Sequence, residues 1–334
     1  MNFLFCGHAP LASTLRVGLA VVVAIASHAA TADDAGTFPN RSAKIVVPFT
    51  PGGTGDILPR AIAEKLSNAW KQPVIIDNKP GAGGNIGAKS VADARPDGYT
   101  LLASPPGPLA INQSIFRTLA YDPSKLEAVS VFATVPIVLA VRNSLPVNSV
   151  QELIALAKAS PGKLTYASAG PGSTPHLVGS MFAGMANVEL VHVPYKGSSQ
   201  PVTDLIGGQV DIYFDNLTNA QQFYKSGRVK LLGVASEKRS SSIPAVPTIK
   251  EAGLANFMAS TWYGAALPAG TPPAIVAKWN AGINEALASP DMQQRLRDWG
   301  AEVVGGTPAE AAAFIKAEAA KWKAVAAQAK VLVD

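Results

Sequence analysis

The chain reads as an α/β protein of two lobes, each a mostly parallel sheet flanked by helices, joined by two crossover strands. Three observations predict this. Short apolar strands alternate with helix-patterned segments, which implies parallel sheets covered by helices. Two apolar stretches, 129–141 and 257–267, are long enough to leave one sheet and enter another. A strand running into a glycine-rich turn that opens a helix occurs twice, about 120 residues apart.

In chain order, a strand at 44–49 leads into a helix at 55–69, and a strand at 74–76 into a helix at 85–94. Asp97-Gly98 turns the chain into a strand at 99–103. After the first crossover come a helix at 149–159, a strand at 164–168 and a helix at 175–186. A strand at 189–193, a helix at 198–206 and a strand at 210–214 follow, then another helix and a strand at 230–235. The last 60 or so residues are helical, over 272–288, 290–299 and 308–329. Thr307, Pro308 and Glu310 supply the cap, first-turn proline and third-position acid of a helix start. Lobe one is expected over 37–133 plus 265–334, and lobe two over 134–260.

The first 32 residues read as a secretory signal peptide. Arg16 precedes the apolar run VGLAVVVAIA (17–26), and small residues follow up to Ala32. That run is too short to span a membrane. The only cysteine, Cys6, lies within this leader, so disulfides and cysteine-bound metals are excluded from the exported chain. Removing the leader takes away one arginine and no acid, lowering the net charge from +5 to +4. Scattered positive charge of that size favours anionic ligands slightly and gives no nucleic-acid footprint.

The paired loops carry the chemistry. In PGGTGD (51–56), Gly52 and Gly53 let a ligand approach the backbone, while Thr54 and Asp56 can cap or polarise the helix start. A plain strand-to-helix turn is the alternative. No Gly-Lys-Ser/Thr ends the loop, so it is not a nucleotide P-loop. In SAGPGSTPH (168–176), Gly170 and Gly172 are the flexible points, and Ser168, Ser173 and Thr174 add hydroxyls beside the backbone N–H groups. Each loop places N–H donors at the positive end of a helix dipole, a site for an anion. Hydroxyls and amides without Lys or Arg make a neutral anion site.

Rival motifs fail on spacing. GAGGNIG (81–87) has Ile86 where a dinucleotide fingerprint needs its third glycine, so tight packing accounts for it better. Ser173 and His176 invite a hydrolase reading, but PGSTP is not a nucleophile elbow. His176 is expected to cap or pack, and His192 to be structural. Two histidines outside the leader, with no acidic cluster beside them, disfavour metal catalysis. Asp215 either accepts a bond from a ligand or caps the next helix. Trp262 and Tyr263 are expected in the core or hinge, with lining of the cleft as the alternative.

Several runs together resemble one family. They are PFTPGGTGD (48–56), NKPGAGGN (78–85), PDGYTLL (96–102), VPYKG (193–197), GGQVD (207–211), FDN (214–216), AVPTIKEAG (245–253) and PAGTP (268–272). The chain is similar to the tripartite tricarboxylate transporter substrate receptors, also called Bug proteins. The resemblance implies a type II-like periplasmic binding protein, monomeric and without a cofactor, that grips a small organic mono- or dicarboxylate between its lobes. Membrane permease subunits would be its partners. A sensor kinase receiving the ligand is the alternative, and an exported hydrolase a third. Ligand contacts carried over are Phe49, Thr50, Gly52, Gly53, Thr54, Gly55 and Asp56 from lobe one. Ser168, Gly170, Gly172, Ser173, Thr174 and Asp215 come from lobe two. Ser104 opens the loop SPPGPL (104–109), which would face the cleft and departs from the family in its prolines. Prolines stiffen that loop and remove N–H donors, so a drier wall and an apolar body behind the carboxylate are expected.

Overall fold

A computed structural model of the chain describes residues 38–328 and 332. The leader predicted at 1–32 lies outside these. Among the described residues no helix is long and apolar enough to cross a membrane.

The first three strands are β1 (Ala43–Val47), β2 (Val74–Asn78) and β3 (Thr100–Ser104), connected by helices α1 (Thr54–Trp70) and α2 (Asn85–Ala92). β1 pairs in parallel with both β2 and β3. Its sequence AKIVV is buried almost throughout, as expected of a strand covered on both faces. β4 (Glu127–Arg142) then crosses the molecule. Next come α3 (Val150–Ala159), β5 (Thr165–Ser168), α4 (Thr174–Ala186), β6 (Val191–Pro194) and α5 (Ser199–Ile206). β7 (Ile212–Asn216), α6 (Leu217–Lys225) and β8 (Val229–Val234) complete this group. β5 is parallel to both β6 and β7. The chain returns through β9 (Ser260–Leu267) and ends in α7 (Pro273–Ala288), α8 (Pro290–Asp298), β10 (Glu302–Gly305) and α9 (Pro308–Gln328).

The strand order is β2-β1-β3-β9-β4-β7-β5-β6, with β8 and β10 also on β4. The parallel expectation thus holds on the two flanks, while β9, β8 and β10 run antiparallel to β4 in the middle. The sixteen-residue β4 serves two ladders. Its residues up to Pro136 pair with β9, and those from Ile137 onward pair with β7. Pro136 lacks an N–H and so suits the point where one ladder stops and the next begins.

Each flank has its own core. On the β7 side, Phe182, Phe214 and Phe257 form a cluster with ring centroids 5.3–6.5 Å apart, packed with Ile137, Leu139 and Val141 of β4. On the β1 side, Val46, Leu102, Val131 and Trp262 pack with Ala311 of α9. The start of α9 is the expected capping box: Thr307 N–H donates to Glu310 Oε2 (2.8 Å), and Glu310 N–H donates to Thr307 Oγ1 (3.2 Å). Several short elements went unread in the sequence, β10 and a turn in the proline-rich region among them. β10 is four residues long and mostly exposed, which leaves no alternating pattern to see. The proline-rich 104–109 region is not a loop throughout, since Gly107–Ile111 forms a π-helical turn.

Candidate functional site

The first glycine loop is organised by Asp56. Its Oδ2 accepts from Gly52 N–H (2.9 Å) and Arg60 Nε (2.8 Å), and its Oδ1 accepts from Asn78 Nδ2 (2.9 Å). Burial pushes the carboxyl pKa up, but the bonds from Arg60, Gly52 and Asn78 outweigh it and hold the group below the usual range. Gly52 sits at φ +88°, which explains the glycine. Gly53 is the N-cap of α1 and offers no side-chain cap, so the first N–H groups of the helix are left for another acceptor.

The second loop is held from behind by histidines. Ser168 Oγ lies 2.7 Å from His192 Nε2 and accepts from Gly170 N–H (3.1 Å). Gly172 N–H donates to His176 Nδ1 (3.3 Å). The two imidazoles stack at 4.1 Å, and Tyr166 covers His192 at 4.9 Å. Burial lowers the pKa of His176 to about 4 and, with His176 adjacent, that of His192 to about 3. Both rings are therefore neutral supports. Ser173, the N-cap of α4, turns its hydroxyl onto Gly170 O (2.6 Å) and not onto the helix, so α4 also begins without a side-chain cap. The Ser173 hydroxyl and His176 Nδ1 thus each serve the loop, and not one another.

The loops come together with a third segment, 194–199, which overlaps the VPYKG run (193–197) but was not expected at the site. Ser199 Oγ donates to Pro51 O (2.8 Å). A methyl group on Gly53 would lie 2.0 Å from Ser198 Oγ, and one on Gly197 would lie 2.2 Å from Thr50 Oγ1. A methyl on Gly83 would lie 2.5 Å from Pro171 O. That close approach, together with a φ of +62°, is why Gly83 is glycine.

Between the loops lies a cavity of about 30 Å³. Of the predicted residues, Phe49, Thr50, Gly53, Gly55, Asp56, Ser173 and Thr174 line it. Gly52, Ser168, Gly170 and Gly172 shape the loops behind it. Ser104 is buried, with its hydroxyl on Pro105 O (2.9 Å), and it is Pro105 that reaches the wall. Sequence reasoning missed Ala169, Pro175, Ser198, Asn216 and Thr261. Alternation along β9 could have found the last, because Thr261 and Tyr263 share the face that lines the cavity. Trp262 points the other way, edge-on to Phe314, with Nε1 on Glu318 Oε2 (2.9 Å).

The lining contains no Lys or Arg. Three of its buried polar atoms, Thr174 Oγ1, Asn216 Oδ1 and Thr261 Oγ1, have no protein partner. Asp215 is fully buried next to this group. Its Oδ1 accepts from Asn216 N–H (2.8 Å) and its Oδ2 from Asn219 Nδ2 (2.7 Å), so it fastens the start of α6. Burial raises its pKa to about 8 against the bonds from Asn219, Asn216 and Tyr213.

The chain is similar to known proteins along most of its length. The profile of the tripartite tricarboxylate transporter family receptors matches residues 58–331. The R. palustris protein Rpa4515, solved with adipate, is 40% identical with a TM-score of 0.86, over 88% of this chain and 99% of that one. The periplasmic binding protein BugD is 35% identical with a TM-score of 0.85, over 88% and 99%. MatC from Rhodopseudomonas palustris with bound malate is 34% identical with a TM-score of 0.83, over 86% and 99%. With the profile covering most of its length, the chain belongs to the tripartite tricarboxylate transporter family receptors, a family of periplasmic solute-binding proteins.

Proposed function

We propose that this chain is exported through its N-terminal leader and captures a small organic carboxylate outside the cytoplasm. It would close two lobes, 37–133 plus 265–334 and 134–260, on the ligand and deliver it to membrane permease subunits. The carrying observation is the pair of unpartnered buried hydroxyls on Thr174 and Thr261, two residues that line one cavity between two uncapped helix starts. A buried polar atom without a partner costs roughly 1–3 kcal/mol, and a carboxylate accepting from such hydroxyls and N–H groups removes that cost. With no cation in the lining, the anion is held by dipoles alone, which favours release as well as capture. β4 and the chain entering β9 are the hinge, a form of closure common among binding proteins. Adipate and malate in the solved relatives support the ligand class. A thermal-shift screen over mono-, di- and aromatic carboxylates tests the proposal. A saturable rise in Tm with carboxylates, absent with the matching amides, is expected; no response to any carboxylate refutes it.

A further inference from the structure

A second cavity, of about 330 Å³, adjoins the first and shares Phe49 and Ala169 with it. The sizes differ in a telling way. A water-sized group needs roughly 10–15 Å³, so the inner 30 Å³ takes about two, the number of oxygens on one carboxylate. The body of a longer ligand then needs neighbouring space, and the outer cavity, which shares the Phe49 and Ala169 walls, is large enough for a small-molecule site. Its walls are apolar where a ligand body would lie: Phe49, Phe116, Pro171 and Pro194. Pro108, from the proline-rich run, packs against the edge of this wall, since a methyl on Gly84 would meet Pro108 Cγ at 2.6 Å and Phe49 Cζ at 3.2 Å. Lys196 also lines the outer cavity. It is exposed and makes no ion pair among the described residues. The other polar side chain there, Tyr195, is occupied, because its hydroxyl donates to Asp204 Oδ2 (2.6 Å).

Building on the receptor proposal, we infer that the outer cavity is a second subsite, in which Lys196 pairs with the far carboxylate of an elongated dicarboxylate whose apolar linker runs between Phe49 and Phe116. One carboxylate is then held inside by neutral dipoles and the other outside by a mobile cation. Lys196 thereby sets the preference for two charges over one, and the linker walls set the preference for length.

The test is calorimetry on the full exported chain with adipate and hexanoate, which differ only in the far carboxylate. Wild type is expected to bind adipate about fivefold more tightly, the upper end for an exposed ion pair. Lys196→Met should remove that difference and leave hexanoate affinity within twofold, while Lys196→Arg should keep it. Raised salt should weaken adipate selectively. Equal affinity of wild type for both probes overturns the inference, as does an unchanged ratio in Lys196→Met or an equal loss for both ligands. Wild type that binds neither probe while other carboxylates raise its Tm also overturns it and leaves the receptor proposal standing. Only silence towards every carboxylate removes both.

Discussion

Replacing Thr174 by valine should separate ligand affinity from stability. Thr174 is 2% exposed, and its hydroxyl has no protein partner. Valine has nearly the same shape, so packing at the start of α4 is preserved while the hydroxyl is removed. In the unliganded protein the substitution deletes an unsatisfied buried group worth roughly 1–3 kcal/mol of penalty, so stability should hold or rise. A gain of 1 kcal/mol corresponds to about 2 °C in a protein of this size. In the complex the same hydroxyl donates to a carboxylate, a bond to a charged group worth about 1.5–3 kcal/mol. Affinity should therefore fall by about 10- to 100-fold. Calorimetry with adipate gives the affinity, and thermal unfolding without ligand gives the stability. Unchanged affinity, or a Tm that falls in step with affinity, refutes this role for Thr174.

Other perturbations follow from the same geometry. Gly197→Val places a side chain against Thr50, whose Oγ1 and backbone N would lie 2.2 and 3.3 Å from the new Cβ; an open arrangement avoids the clash, so adipate affinity should drop more than tenfold with unliganded Tm nearly unchanged, and retained affinity would count against closure. Asp215 has a folded pKa near 8 against 3.8, so the folded state holds a proton that the unfolded state releases, and its contribution is lost as pH rises from about 4 through 8. Asp215→Asn should flatten that decline in urea titrations across the range. His176 and His192 have folded values near 4 and 3, below the unfolded value of about 6.5, so their contribution is present above pH 6.5 and lost as pH falls towards 3. His192→Gln should shallow the slope of stability against pH on the acid side, whatever its effect on the overall level.

The sequence was most legible where a local rule forces a residue choice. The two glycine loops, the helix starts at Thr54 and Thr174 and the capping box at Thr307 all follow from short-range geometry. The alternating strands and helices gave the flanking parallel strands, and the two long apolar runs gave β4 and β9. Hidden was everything that depends on which segments meet across the sheet. The 194–199 segment has no helix-opening glycine run, yet Gly197 and Ser198 press on Thr50 and Gly53. Nor can a sequence show which way a carboxylate turns. Asp56 and Asp215 sit in the right segments, but the oxygens of both are bonded within their own surroundings.

The routing of the chain through the sheet has a consequence for how the protein is made. β3 ends at Ser104, but its antiparallel neighbour β9 begins only at Ser260, and the β10 segment that pairs with β4 begins at Glu302. The latter half of β4 and strands β5 to β8 form an unbroken stretch of sequence. Contacts close in sequence form at lower entropic cost than distant ones. The middle of the chain can thus assemble early, while β3, already paired with β1 on one side, lacks its other neighbour until β9 forms. In pulse-labelled hydrogen exchange during refolding, β5–β8 are expected to gain protection before β9 and β10.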